Sequence, residues 1–558
     1  MRPVTRIRLG PWIAALGGAL WCSTYIRPLL DPFRLDLVLH GDWAQHTLGW
    51  LFFRRESLSF PLGSIRGFLY PFGTTLGYMD SIPWVALVLR FFEGFLPRDF
   101  QYLGLWMVAC SALLGLVAAR VAALSTRHWE QQALAGMLVA LAPSLVDRVV
   151  HPALCAHFLL VAGVALHWVP SHDLAAARRK LIAAFALLGL SAATHPYLAF
   201  MVLAILIALP MLLLRQLGVG VAVAASLGLC GLLVAELVLL GYVGGPMQNA
   251  TEGFGEFSAN LNTFINSEGY SRLFPALPYA SLQYEGYSYL GAGCFLMCAV
   301  AFGLLLRKRT RAAVASFPWR RAVWPLMAAL GLAVFALATP WRWGEREILH
   351  IPLYEHVAWL GRVFRSSGRL IWALAYMLNL AVITCVLRGL RAHRAAASAV
   401  LLAALALQAY DIDTTSVQPE GGPPRKARFS APAWELADGT FKHLVMYPAE
   451  IAGVCESPNG YRGDEVNALA YLAYVRGMTF NSGYAARVHI AADEQCKALE
   501  HDVRSGKLRA DTIYVTQRRE LKRFVKAGAT CGRINRAHVC VLPKDHPLAA
   551  YLSEHKKR

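Results

Sequence analysis

Apolar residues run along this chain in long blocks rather than in alternation. Blocks that reach or approach spanning length fall near residues 10–28, 101–124, 132–149, 153–169, 181–196, 198–214, 219–241, 289–306, 322–340, 370–388 and 395–410. At about 1.5 Å rise per residue they match a bilayer core of ~30 Å, so the pattern predicts about eleven transmembrane helices. The blocks at 181–196 and 395–410 sit at the short limit. Ser81–Pro97 (SIPWVALVLRFFEGFLP) departs from the pattern, because Arg90 and Glu93 fall three residues apart on one helical face. That spacing predicts an amphipathic helix lying at the membrane interface rather than a span.

After Tyr410 the blocks stop. Residues 411–430, which include Gln418–Arg428 (QPEGGPPRKAR), read as a linker, and 431–558 as a soluble domain. Short β-prone runs at His443–Tyr447, Thr512–Thr516 and His538–Leu542 are separated by helical stretches such as Glu465–Arg476. An α/β or α+β domain follows. The expected architecture is mainly α: a polytopic membrane helix bundle over residues 1–410, with 29–100 as its first long loop, and a C-terminal soluble domain.

Charge supplies the orientation. The chain carries 54 Lys and Arg against 35 Asp and Glu, a formal net charge of +19, yet only 16% of its residues are charged. With the basic N-terminus (MRPVTRIRLG) placed in the cytoplasm, Arg120, Arg127, Arg178–Lys180, Arg215, the 307–321 cluster and Arg388–Arg394 all fall on that side. The positive excess therefore records topology, and no basic–aromatic pattern points to nucleic acid. Residues 29–100, 147–151, 242–288, 341–369 and the C-terminal domain face outward. Of eleven cysteines, Cys455, Cys496, Cys531 and Cys540 lie in that domain. An even number on an exported side predicts two disulfides; sequence does not choose among the three pairings, and the sequential one is the guess carried forward. No Cys/His metal spacing occurs, so no metal ligands are assigned and no cofactor is expected.

Chemistry concentrates in the outward loops. The run HGDWAQH, residues 40–46, opens the first of them with Asp42. A carboxylate held there can take a proton from an acceptor hydroxyl; the competing role is a helix cap. His46 shares its helical face, and Asp80 is a second carboxylate in the same loop. Arg148 and His151, with Asp147, fall at the same outward level as His195-Pro196, where they can line a cavity. The loop from Gly244 to Leu290 mixes Glu252, Glu256, Glu285 and Asn260 with glycine and aromatic rings, a combination suited to a sugar. In FRSSGR, Arg365 and Arg369 stand against the positive-inside trend, which asks for an anionic partner such as a phosphate or anionic lipid head groups.

GDWAQHTLGWLFFR, YMDSIP, RVVHPALCAHFLL, THPY, YEGYSYLG and FRSSGR together resemble an uncharacterised bacterial family of multi-pass membrane proteins. That family in turn looks like the GT-C glycosyltransferases, which use polyprenyl-phosphate sugars. The resemblance covers roughly residues 10–410. It implies a GT-C-like bundle in the bacterial inner membrane, with a polyprenyl-phosphate-linked sugar as donor and a periplasmic glycan, lipopolysaccharide or protein as acceptor. It also implies Asp42 as catalytic base and Arg365 and Arg369 on the donor phosphate. The first loop lacks the Asp-x-Asp pair of many such enzymes; the pair Asp411-Ile412-Asp413 lies beyond the last predicted span. The competing functions are a transporter or flippase for a lipid-linked saccharide and an envelope-assembly scaffold.

Overall fold

In the computed structural model, which describes residues 9–249, 253–356, 361, 363–417, 429–451, 453–455 and 463–556, three helices meet backbone to backbone. They are Leu9–Tyr25, Leu103–Ala122 and Trp129–Ala140. Small residues permit the approach. A Cβ added to Gly18 would lie 2.6 Å from the Ser111 carbonyl oxygen, and one on Gly136 would lie 2.5 Å from that of Gly115. Ser111 Oγ donates to the Gly18 carbonyl at 2.9 Å. Apolar helices associate this way where water supplies little drive between them.

The chain forms two units. The first lies within residues 1–30, 102–236 and 252–419; the second lies within 31–101, 237–251 and 420–558. Among the described residues, four helices are long and apolar enough to cross a membrane: Leu103–Ala122, Val219–Leu239, Trp319–Leu337 and Ser367–Gly389. Trp129–Ala140 and Pro143–Val150 add a fifth if taken as one span bent by 44°. The eleven expected spans are thus not eleven long helices. Pro143, Pro152 and Pro196 each open a new helix and divide the apolar blocks, because proline cannot donate to the preceding turn. Pro152–Trp168, Pro196–Leu212 and Ala292–Leu306 are apolar but shorter.

In the Ser81–Pro97 segment a helix covers Pro83–Arg90, 8 residues. At about 1.5 Å per residue it is far too short to span. Phe91, Phe92 and Phe95 follow it as exposed rings.

The second unit holds one mixed sheet. Its strands are β1 (His443–Tyr447), β2 (Thr479–Phe480), β3 (Thr512–Thr516), β4 (Thr530–Ile534) and β5 (Ala537–Val541). Their order is β4-β5-β3-β1-β2. β1 runs parallel to both β2 and β3, while β5 is antiparallel to β3 and β4. Helix Gly463–Val475 makes the crossover from β1 to β2. Every residue of β3 is buried, which is why it reads as a continuous β-prone run. The edge at β2 is covered by the first loop: Phe480 N donates to Gly67 O at 2.8 Å, and Tyr70 N donates to Phe480 O at 2.9 Å. The expected linker at 418–428 lies outside the described residues.

The four cysteines of this unit pair sequentially, Cys455 with Cys496 and Cys531 with Cys540. The first closes a loop of sequence separation 41. Loop-closure entropy gives such a crosslink about 4 kcal/mol. A Cys455→Ser, Cys496→Ser double variant of the full chain is therefore expected to be cut within the C-terminal domain at clearly lower protease concentration. Equal resistance would show that the crosslink adds nothing.

Candidate functional site

Helix Gly41–Phe53 places the first set of groups, in the second unit. His40 occupies its N-cap, so Asp42 is not the cap but lies in the first turn, where it is exposed. Gly41 has φ of 52°, and a side chain there would be strained even though the space is open. One turn on, Gln45 and His46 are buried. Gln45 Nε2 donates to Tyr78 O at 2.8 Å and to Asp80 Oδ2 at 3.2 Å. His46 Nδ1 hydrogen-bonds the Asp80 carbonyl, and Ser81 Oγ donates to His46 O at 2.8 Å.

Asp80 and Ile82 both adopt left-handed backbone, with φ of 52° and 48°. Each such residue costs on the order of 1–3 kcal/mol and persists only where its surroundings hold it. Here the clamps from Gln45, His46 and Ser81 supply that hold. Tyr78 hydroxyl donates to Tyr242 O at 2.6 Å, and the Arg487 guanidinium lies 5.9 Å from the Tyr78 ring centre. Burial, with the Asp80 charge, pushes the Tyr242 hydroxyl far above its usual range. The arrangement presents an exposed carboxylate, Asp42, one helical turn from Gln45, whose amide holds the carboxylate of a strained loop.

The first unit holds a buried ion cluster. Arg148 Nη1 donates to Glu285 Oε2 at 2.6 Å and its Nε to Asp147 Oδ2 at 2.7 Å. Arg369 grips the same Glu285 with two bonds, Nε to Oε2 at 2.9 Å and Nη2 to Oε1 at 2.6 Å. Burial opposes ionisation of Glu285, but the Arg369 and Arg148 guanidiniums outweigh it and hold the carboxyl well below the usual range. The His151 charge acts on Glu285 in the same sense. Tyr270 hydroxyl donates to Asp147 Oδ1 at 3.1 Å. The Arg369 guanidinium lies 5.1 Å from the Tyr197 ring centre, and His195 caps the helix that begins at Pro196 by accepting from Tyr197 N at 3.2 Å.

Close backbone approach makes this possible. A Cβ on Gly368 would lie 2.7 Å from Gly286 N, so FRSSGR and YEGYSYLG touch at their glycines. Arg148, Glu285 and Arg369 thus come together, with His151 and His195 around them. Other sequence candidates do not join. Asn260 Nδ2 donates to Gln283 Oε1 and to Gly344 O, both at 2.7 Å, a loop-to-loop clamp. Glu256 is exposed, and Glu252 lies outside the described residues. Arg365 is partly buried, its guanidinium 5.9 Å from the Phe257 ring centre.

Sequence reading passed over Glu268, which lies near this cluster. It sits in left-handed backbone with φ of 48°. Burial, then the Asp147 carboxylate, push its carboxyl up to about 8 against the opposing pull of Arg148 and the Tyr279 hydroxyl. A folded value above the unfolded one of about 4.3 favours the protonated fold, so this group's contribution falls as pH rises between the two. Glu268→Gln is expected to raise the melting temperature at pH 8 and to leave it near wild type at pH 4. Parallel pH profiles for the two proteins would count against it.

A family described as "Domain of unknown function (DUF6311)" matches residues 14–413, and "DUF6311 C-terminal domain" matches residues 433–542. No curated protein sequence matches the chain. Among solved structures, the chain is similar to the Archaeoglobus fulgidus oligosaccharyltransferase, crystallised with zinc and sulfate, at 14% identity and a TM-score of 0.36. The alignment covers 84% of this chain and 62% of that one.

Proposed function

The chain belongs to the DUF6311 family, and we propose that it is a membrane glycosyltransferase. It moves a sugar from a polyprenyl-phosphate donor to an envelope glycan, glycolipid or protein on the periplasmic face of the bacterial inner membrane. The observation that carries this reading is the first loop: Asp42, exposed, stands one turn from Gln45, whose amide holds the carboxylate of the strained Asp80 at 3.2 Å. Apolar helices of spanning length supply the membrane setting.

In the reaction, Asp42 accepts the proton of the acceptor hydroxyl as its oxygen bonds the anomeric carbon. The bond from that carbon to the lipid phosphate breaks, and its electrons leave with the phosphate. Asp80 keeps the loop in register. By the chemistry of its side chains, the Arg365–Arg369 segment is the candidate for the lipid phosphate. The Glu285 bonds use one N–H of Nε and one of Nη2 of Arg369, two of the five a guanidinium carries.

The test uses membranes from a deletion strain carrying wild type or Asp42→Asn at matched levels. Radiolabelled sugar on a polyprenyl-phosphate pool should pass to delipidated envelope material with wild type, and not with the variant. Equal transfer by both would contradict the assignment. One observation favours a second reading, translocation of a lipid-linked saccharide: the helix pair bent by 44° after Trp129–Ala140 is the kind of broken helix that transporters use. Translocation would leave the Asp42→Asn strain with normal function.

A further inference from the structure

Within the second unit a cavity of about 460 Å³ opens between the start of the first loop and the C-terminal domain. That volume falls inside the ~300–1,000 Å³ of small-molecule sites. Phe33, Asp36 and Asp99 line it from the first loop, and Glu435, Asp464 and Tyr471 from the C-terminal domain. Phe33 is 55% exposed, which makes it accessible to a ligand.

The polar groups are held in place beforehand. Buried Arg54 donates to the carbonyl oxygens of Leu96, Pro97 and Arg98 at 3.0, 2.8 and 2.9 Å, which pins the loop at this wall. Arg98 and Asp99 form a planar fork, with Nε to Oδ1 at 3.0 Å and Nη2 to Oδ2 at 3.1 Å. Tyr471 hydroxyl adds a bond to Asp99 Oδ1 at 2.8 Å. A fixed carboxylate in a cavity that also holds the exposed Phe33 matches a saccharide, whose hydroxyls donate to carboxylate oxygens while its C–H face packs on an aromatic ring.

Charge narrows the ligand further. Four carboxylates, Asp36, Asp99, Glu435 and Asp464, line the cavity against two guanidiniums, Arg98 and Arg476. Asp36 is paired with Arg34 at 2.9 Å, Asp99 with Arg98 at 3.0 Å, and His40 stands 3.2 Å from Asp464, so most of these carboxylates are already matched and the lining suits a hydroxyl-rich ligand better than an anionic one. His40 also lines the cavity, and it is the N-cap of the helix whose first turn holds Asp42. Resting on the glycosyl-transfer reading above, we propose that this cavity binds the uncharged or amino-sugar end of a saccharide acceptor and delivers its hydroxyl toward Asp42.

The test measures binding apart from transfer. The probe is the oligosaccharide fraction released by mild acid from the envelope of the deletion strain, with tryptic peptides of the same envelope as the comparison. Saturation-transfer difference NMR is run on the full chain in detergent as wild type, Phe33→Ala, Glu435→Gln and Asp42→Asn. The oligosaccharides are expected to bind wild type and Asp42→Asn alike, and about three- to tenfold more weakly to Phe33→Ala, the scale of one aromatic contact. Matching melting temperatures check that the variants fold. Binding by peptides alone, no binding of saccharide, or affinity unchanged in both Phe33→Ala and Glu435→Gln would overturn the proposal. Saccharide binding with transfer unaffected by Asp42→Asn would sink the catalytic reading and leave the site. Transfer lost in Asp42→Asn with no saccharide binding would do the reverse.

Discussion

Glu285→Ala is expected to destabilise the protein by about 3–5 kcal/mol, the cost of removing one partner from a buried ion pair. Wild-type Glu285 takes hydrogen bonds from both Arg148 and Arg369, and all three side chains are largely shielded from water. Without it, two guanidiniums remain in the interior with Asp147 as the hydrogen-bonded carboxylate of the pair's remainder. The charges then repel each other and pull water inward. Melting of the purified protein in detergent reads the loss directly. Adding Arg369→Met to Glu285→Ala removes one stranded charge and should recover part of the deficit. A Glu285→Ala protein that melts with wild type would mean the cluster does not hold the loops together.

Asp42→Asn carries the other large effect, a fall in transfer of about 10²–10⁴-fold, the range of a positioned general base. The fold should barely notice. Asp42 is exposed in the first turn of its helix, where a carboxylate is worth only about 0.3–1 kcal/mol through the helix dipole. Asparagine keeps the shape and cannot take the proton. Asp80→Asn is the informative partner, since its side chain still accepts from Gln45 Nε2 while losing the charge. Near-normal transfer in Asp80→Asn beside a dead Asp42→Asn would separate positioning from catalysis. Equal loss in both would place Asp80 among the reacting groups.

What sequence could disclose varied with the range of the interactions. The strands His443–Tyr447 and Thr512–Thr516 were legible because buried parallel strands are apolar or β-branched along their whole length. The third run, expected at His538–Leu542, begins one residue earlier at Ala537, where pairing with Ile534 sets the hairpin end. Four cysteines in the soluble domain pointed to two disulfides, but their order does not select a pairing; the sequential one is set by the fold. Helix continuity was less legible: hydropathy separates the blocks 132–149 and 153–169 but does not show that Pro143 starts a new helix inside the first.

At the site, residue type was a better guide than partner. Arg369 and Glu285 each stood out, one as a cation on the wrong side and one as an acid among aromatic rings. That they bind each other depends on the glycine contact between Gly286 and Gly368, a feature of tertiary packing with no local pattern. Asn260 shows the same limit, since its amide, of a kind suited to sugar, makes hydrogen bonds that join loops. Glu268 left no signal in sequence; besides nearby Tyr279, the charges that act on it, Asp147 and Arg148, are more than a hundred positions away.

Glycosyl transfer with Asp42 as the base is tested by mass spectrometry of envelope glycans and glycolipids. Profiles are compared for a deletion strain and for that strain complemented with wild type or Asp42→Asn at matched protein levels. The expected result is a sugar that disappears on deletion, returns with wild type and stays absent with Asp42→Asn, its mass identifying what is transferred. A sugar restored equally by both would contradict the claim and remove Asp42 from the chemistry.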